Sequence, residues 1–290
     1  MAGESNGFCI VVLSYNHPGL TSTALKSVRS KGTFPAILVH NGSLPEHREA
    51  LLKEFSDVDH VILETNRGYS GGANFGISKG FEKAEWVVFL TNDCVLESLP
   101  HFPDQPAVLA PQILIRNTGK VDSLKGWFNP AMARLEHQIR LDDGSRSEQW
   151  RDYAPGTAFA VHKKIWTQVG GFDESLGTYW EDVDWSQRVR RENFLIASDL
   201  EWKVNHGIGK TCRKQKFYTI YLYQRNRALV SWRYAEAGER VRLGMVLLLS
   251  WTFLGARLLA KRRFDDLRLL FQAVWHSAGL GSRAALRRFF

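Results

Sequence analysis

Four short apolar runs, FCIVVL (8–13), AILV (36–39), VIL (61–63) and WVVFL (86–90), constrain this chain more than any other feature. They recur at intervals of about 25 residues, with helix-compatible segments between them. Their hydrophobicity is continuous rather than alternating, as in strands covered on both faces, so the pattern predicts β-α-β units and a parallel sheet. Thr21 to Val28 and Glu46 to Phe55 read as the first two crossover helices. Pro18-Gly19 and Asn41-Gly42-Ser43 mark turns at strand C-termini, the edge at which open α/β sheets bind ligands. The first half therefore has the layout of a nucleotide-binding fold.

Beyond it, residues 99–155 are richer in Pro, Asp, Gly and aromatic residues and hold one clear strand, VLAPQILI (108–115). The stretch is expected to wrap the sheet edge and to select an acceptor or a sugar. The expected division is a catalytic domain over 1–215 and a basic helical extension over 216–290. Charge supports the split: residues 1–224 carry 25 Lys+Arg and 26 Asp+Glu, whereas residues 225–290 carry 13 and 4. The formal net charge of +8 therefore resides in the last quarter. Within it, LGMVLLLSWTFLGA is uncharged between Arg242 and Arg257, too short to span a bilayer. Phe264, Leu267, Phe271, Val274, Trp275 and Ala278 follow at i, i+3, i+4 spacing, opposite Arg268 and Gln272. Such helices suit an anionic membrane surface, or packing on the catalytic domain. Cys9, Cys94 and Cys212 lie far apart, which offers neither a disulfide framework nor a Cys-based zinc site and suits a reducing compartment. The start MAGESNG shows no basic leader region, so a cytosolic protein is expected.

Four constellations have chemical potential. NRGYSGGANFG (66–76) places five glycine or serine positions between the third strand and the next helix, a loop whose N–H groups can approach an anionic or planar ligand. Asp93, in FLTNDCV, follows directly on an apolar strand, where a carboxylate can hold a divalent cation against a diphosphate. TYWEDVDW (178–185) packs Glu181, Asp182 and Asp184 into four residues; their repulsion raises at least one pKa unless a cation or Arg188 compensates, which suits a general base. VNHGIGKT (204–211) imitates the end of a P-loop, but Val204 stands where that motif needs glycine. His206 is the residue of interest there, as a neutral imidazole ligand or phosphate contact, with Lys210 and Arg213 as nearby counter-charges.

In this order the elements resemble an inverting family-2 glycosyltransferase with a GT-A fold, closest to the bacterial rhamnosyltransferase-like branch. The matching stretches are VVLSYNHP, LVHNGS, NRGYSGGANFG, LTNDC, PGTAFAVHKKIWTQVGGFDESLGTYWEDVDWSQRVRR and NHGIGKT, spanning residues 8–211, and YLYQRNRALV is similar to the segment that follows in that branch. The resemblance implies an α/β nucleotide-diphospho-sugar transferase fold, a nucleoside-diphosphate sugar donor, Mn²⁺ or Mg²⁺, and direct displacement at the anomeric carbon. By position, Ser14, Tyr15, Asn16, His40, Asn41, Asn66, Gly68, Gly72, Asn74, Asn92 and Asp93 would form the nucleotide-sugar site. Asp93 and His206 would hold the metal, and Asp182 would be the base with Glu181 the second candidate. Apart from the resemblance, Trp180 and Trp185 flank the acidic cluster, where stacking on a sugar or acceptor ring and packing in the core both suit them. Two departures stand out: His40 replaces the Asp that commonly reads a pyrimidine base, and Thr91 and Asn92 leave Asp93 as the only carboxylate of the metal motif.

The expected function is transfer of one sugar to a lipid-linked or polysaccharide acceptor, by an enzyme peripheral on the cytoplasmic face of the inner membrane. Rival readings are a sugar-nucleotide-binding protein without turnover and a binding module acting through the basic tail. In that tail the basic residues alternate with long aliphatic ones rather than exposed stacking aromatics, which favours membrane over nucleic acid.

Overall fold

The computed structural model describes residues 7–116, 118–138, 152–207 and 217–279. The four apolar runs become β1 (Phe8–Ser14), β2 (Ala36–Asn41), β3 (Asp59–Leu63) and β4 (Trp86–Thr91), all parallel in the order β3-β2-β1-β4. The sheet continues through β10 (Ala158–His162), β6 (Ala107–Ile115) and β11 (Leu195–His206) to β5 (Cys94–Leu96), and β7 (Val121–Ser123) pairs with β6. Of its nine strands, β5, β7 and β10 run against the rest. The mostly parallel α/β sheet is thus the one that the sequence predicts. The 99–155 stretch departs from expectation: β6 lies inside the sheet, and β8 (Lys125–Asn129) and β9 (Arg134–Gln138) add a separate two-stranded hairpin.

Continuous hydrophobicity has its expected cause, since alternate residues of β1, β2 and β4 feed two cores. Cys9, Val11, Val39 and Phe89 join Ala73 and Ile77 of α3 (Gly68–Gly80), Ile165 and Trp166 of α4 (Lys163–Val169), and Trp185 and Val189 of α5 (Glu181–Arg191). Ile10, Val12, Leu38 and Val88 join Leu25 and Val28 of α1 (Pro18–Arg29) and Leu51 of α2 (Pro45–Glu54).

The glycine-rich segment is not a loop. It forms α3, and Gly72, Gly76 and Gly80 lie one turn apart on the side that meets the sheet. A Cβ on Gly76 would sit 2.7 Å from Val39 Cγ2 and 2.9 Å from Val11 Cγ1, so these glycines let the helix settle closely on β1 and β2.

The chain closes with a π-helical turn (Phe217–Leu222) running into α6 (Tyr223–Tyr234), then α7 (Arg240–Ala260) and α8 (Phe264–Ser277). α6 interlocks with the catalytic body. Asn226, wholly buried, donates through Nδ2 to the carbonyls of Leu176, Thr178 and Tyr179 at 2.8, 3.0 and 2.8 Å. Arg225 donates to Ser175 O at 3.0 Å, and Tyr234 Oη donates to the Asp184 backbone carbonyl at 3.0 Å. The line drawn at 215/216 therefore crosses a shared core, Val230 packing with Leu176, Trp180 and Val183.

Candidate active site

Strand direction brings the chemical groups to one edge. β1, β2, β4 and β11 all end there, and β10 runs the other way, so the Gly156-Thr157 segment before it arrives at the same edge. A cavity of about 510 Å³ opens at this edge, within the range of small-molecule sites. Its wall includes Tyr15, Asn41, Asn66, Gly68 and Tyr69 from the nucleotide-binding half, Asn92 and Asp93 after β4, Leu135, Gly156 and Thr157, the run Thr178 to Asp182, His206 and Tyr223.

Asp93 sits in the turn between β4 and β5. Antiparallel pairing of β5 with β11 sets His206 opposite Cys94, and His206 Nε2 comes to 3.3 Å from Asp93 Oδ2. Thr91 Oγ1 donates to Asp93 Oδ1 at 2.7 Å. Burial raises the Asp93 pKa, but the hydrogen bond and charge of His206, with Thr91, outweigh burial and bring it below the ordinary carboxylate value. A carboxylate and an imidazole side by side on the cavity wall are donor types that would suit a divalent cation. Among the described residues, no third His, Cys, Asp or Glu joins this pair.

The second group stands at the N-terminus of α5. Tyr179 and Trp180 adopt left-handed φ of 69° and 71°, which turns the chain sharply into the helix and sets Glu181 and Asp182 in the cavity wall. Asp182 accepts from the N–H of Gly156 at 2.9 Å and of Val183 at 2.8 Å. Burial outweighs these hydrogen bonds and raises its pKa above the ordinary value. Glu181 is also buried, and its Oε2 has no hydrogen-bond partner. Burial, followed by the adjoining Asp182 charge, pushes its pKa well above the usual carboxylate range. The two neighbouring carboxyl groups thus differ in environment, Asp182 bonded to two backbone N–H groups and Glu181 Oε2 without a hydrogen-bond partner.

Other residues expected at the site serve the scaffold. His40 is wholly buried and outside the cavity wall: its Nε2 hydrogen-bonds His60 Nδ1 at 2.9 Å, and burial, reinforced by His60 and Arg48, lowers its pKa to about 4. It reads no base from that position. Ser14 Oγ and Thr21 Oγ1 share a hydrogen bond of 2.7 Å, and Asn16 Oδ1 accepts from Leu44 N–H at 3.0 Å; both tie turns beneath the site rather than line it. Gly72 packs against Asn41 and Leu13. Asn74 clamps α3 to Phe172, accepting its N–H at 2.8 Å and donating to its carbonyl at 3.0 Å. Trp185 is wholly buried among Phe159, Trp166 and Phe172, with its indole N–H on Gly170 O, so it cannot face a sugar, whereas Trp180 does line the cavity.

Asn41 and Asn66 line the cavity and also fold the loop before α3. Asn41 Nδ2 donates to Asn66 Oδ1 and to Gly68 O at 3.1 and 2.9 Å, and its Oδ1 accepts Arg67 N–H at 3.0 Å. Gly42, at φ 70°, passes so close that a Cβ would meet Asn66 N at 2.3 Å. Lys210 and Arg213 lie outside the described residues. Four further wall residues, Tyr69, Gly156, Tyr179 and Tyr223, escape the sequence reading although each lies within one of its motifs. Tyr69 Oη donates to Gly156 O, holding the loop whose N–H meets Asp182.

Comparison with known proteins agrees with the fold. Residues 9–105 match the sequence profile of Glycosyl transferase family 2. A low-salt glycan biosynthesis hexosyltransferase, Agl10, of Haloferax volcanii is 24% identical over 258 residues, covering 82% of this chain and 80% of the relative. An N-acetylglucosaminyl-diphospho-decaprenol L-rhamnosyltransferase of Mycobacterium tuberculosis is 24% identical over 216 residues, covering 62% and 68%. A mannosyltransferase of Pyrobaculum calidifontis, solved with GDP-Man and Mn²⁺, superposes with a TM-score of 0.55 at 13% identity, covering 99% of this chain and 79% of that one.

Proposed function

We propose that this chain, a family-2 glycosyltransferase of GT-A fold, transfers a sugar from a nucleoside diphosphate to a hydroxyl of a lipid-linked or polysaccharide acceptor, with inversion. One observation carries the reading: an Asp–His pair suited to a cation and two carboxyl groups, buried Glu181 and half-buried Asp182, line the same cavity. Asp93 and His206 would hold Mn²⁺ or Mg²⁺, which supplies positive charge against the diphosphate as it leaves. Tyr15, Asn41, Asn66 and Gly68 offer a ring and polar groups at the strand edge for the donor. Asp182 takes the proton from the acceptor hydroxyl as its oxygen bonds to the anomeric carbon and the bond from that carbon to phosphate breaks. Its raised pKa makes it a stronger proton acceptor than an ordinary carboxylate. Glu181, whose protonated form burial favours, is placed to donate a hydrogen bond to a sugar or acceptor oxygen.

The decaprenol-linked acceptor in the mycobacterial relative's name supports a lipid-linked acceptor here, and the apolar, basic C-terminal helices support work at the cytoplasmic face of a membrane. Calorimetric titration of UDP, dTDP and GDP, with and without Mn²⁺, tests the donor half on wild type and Asp93→Ala. Mn²⁺-dependent binding of one nucleotide, lost in the variant, is expected. Failure of all three to bind overturns it.

A further inference from the structure

We propose that the outward faces of α7 and α8 form one lipid-docking surface, with α7 lying in the plane of an anionic membrane interface rather than crossing the bilayer. The helical stretch Ala237–Ala260 is long enough to span and contains an 18-residue window with a mean hydropathy of 1.7. One side of α7, however, is spent on the protein: Leu243 and Leu247 pack with Ala228 and Ala235, and Leu258 packs with Ile220 and Leu270. Crossing a bilayer would pull these contacts apart. The opposite side is uncovered, with Val241 (73% exposed), Leu248 (61%), Leu249 (69%) and Phe253 (73%).

α8 repeats the arrangement. Its amphipathic stripe, which by sequence alone could face the domain, divides: Phe264, Phe271 and Trp275 are exposed, whereas Leu267 and Val274 pack with Leu258 and Leu270, and Asp266, Leu270 and Ala273 form the inner side. Exposed aromatic and aliphatic residues grouped in this way mark an interaction site, and exposed aromatics suit the headgroup boundary.

Charge identifies the occupant. Residues 237–279 carry seven Lys or Arg against three Asp or Glu, and of the acidic three Asp266 is buried on Arg263. Exposed Arg240, Arg242, Arg257, Lys261, Arg262 and Arg268 surround the apolar face. A second copy meeting this face would bring like charges together, whereas anionic headgroups neutralise them. Apolar burial and positive charge supply the two signals that stable interfacial attachment takes.

The placement also serves the cavity, a consequence that rests on the lipid-linked acceptor reading. Tyr179 lines the cavity and packs in one cluster with Leu269 and Ala273 of α8. Only the thickness of α8, roughly 10–12 Å, then separates this wall from lipid, so an acceptor headgroup reaches Asp182 while its chain stays in the membrane.

Full-length protein is sedimented with vesicles of phosphatidylcholine alone or mixed equally with phosphatidylglycerol, without donor or acceptor. Binding to the anionic vesicles, abolished by Leu249→Glu with Phe253→Glu, is expected. Lys261→Gln with Arg262→Gln should weaken it about 30-fold, from about fivefold per cation removed near an anionic surface. Equal binding to neutral vesicles, or none to either, overturns the proposal. So does sedimentation velocity showing a lipid-free dimer that the Glu variants dissociate while vesicles go unbound. Depth is read from a fluorophore on Leu249→Cys in a Cys212→Ser background, quenched by lipids labelled near the headgroup or at the chain end. Stronger shallow quenching is expected; stronger deep quenching means a spanning helix and refutes the in-plane placement. Nucleotide titration of the same variants keeps a failure of docking distinct from a failure of the donor reading.

Discussion

Replacing Asn226 by Ala tests whether α6 positions the proposed catalytic carboxylates or merely covers the fold. The Asn226 amide has two hydrogens and meets three carbonyls, those of Leu176, Thr178 and Tyr179. In the variant, Leu176 O keeps the Thr178 N–H at 2.9 Å. The other two hydrogen bonds are each worth about 1 kcal/mol net, and burial without them adds about 1 kcal/mol per carbonyl, so a loss of about 2–4 kcal/mol is expected. The same carbonyls fix the approach to Tyr179 and Trp180, whose left-handed conformations hold about 1–3 kcal/mol of strain each. Once released, that strain relaxes by moving the start of α5 and drawing Asp182 off the Gly156 N–H. A fall in kcat of at least about tenfold follows, the equivalent of about 1.4 kcal/mol of barrier. Donor affinity should change little, because Tyr15, Asn41 and Asp93 are held by β1, β2 and β4. Urea denaturation and steady-state kinetics measure both terms. Leu51→Ala is the control: it lies in the core on the other face of the sheet and should cost about 2–5 kcal/mol with kcat intact. An Asn226→Ala protein destabilised as expected yet turning over at the wild-type rate would refute the positioning argument, and so would equal loss of kcat in the control.

Three further outcomes follow from the same geometry. His40, with a folded pKa of about 4 against an ordinary 6.5, stays neutral in the native state while the unfolded chain takes up the proton. Its contribution is complete above pH 6.5 and is lost as pH falls toward 4, by about 3 kcal/mol at most; denaturation of wild type and His40→Gln across that window should show a steeper loss in wild type, and parallel curves would contradict it. Asp182→Asn should lower kcat by about 10²–10⁴-fold, and the acid limb of the wild-type kcat/KM profile should lie above the ordinary carboxylate value, because rate falls as the base is protonated; a limb at the ordinary value would exclude Asp182 as the base. Gly76→Ala drives a methyl group into Val39 and Val11 and should cost about 1–3 kcal/mol by overpacking, measured by thermal or urea melting, whereas no loss would mean that α3 does not rest on the sheet as described.

What the sequence made legible was local. The strands β1 to β4 follow from contiguous apolar runs, and Asp93, His206, Glu181 and Asp182 from charges set at element ends. What it hid was which way neighbouring side chains point. His40 and Asn41 adjoin on β2, so one faces the α1–α2 core and the other the cavity, and no motif shared by both distinguishes them. Trp180 and Trp185 both flank the acidic cluster. Trp180 precedes the helix and lines the cavity, while Trp185, a full turn inside, faces the core. The run NRGYSGGANFG reads as a flexible loop by composition, because the reason for its glycines, close contact with the sheet, is a tertiary one. Asn226 and Arg233 carry no local signal, since the carbonyls and carboxylates they serve lie some 50 residues earlier in the chain.

Glu181, Asp182 and Asp184 pose the sharpest problem in this chain, because three adjacent negative charges cannot all be withdrawn from water without compensation. The fold separates their roles by partner. Asp184 is fully buried and takes Arg188 at 3.2 Å, Arg233 at 2.5 Å and the Tyr234 hydroxyl at 3.1 Å. Asp182 takes two backbone N–H groups, and burial shifts Glu181 toward its protonated form. The three carboxyl groups that stand together in sequence thus differ in partner, and Glu181 and Asp182 are the two that line the cavity. Arg233 and Tyr234 belong to α6, so the helix that leads to the proposed lipid-docking helices also neutralises charge beside the proposed base. Arg233→Met leaves Asp184 with Arg188 as its remaining charged partner and weakens the neutralisation of negative charge two residues from Asp182, which favours the protonated form of the proposed base. The acid limb of kcat/KM should therefore move to higher pH although Arg233 lies outside the cavity wall, and donor affinity should hold. A limb that stays in place while stability falls would confine Arg233 to folding and break the link between α6 and the base.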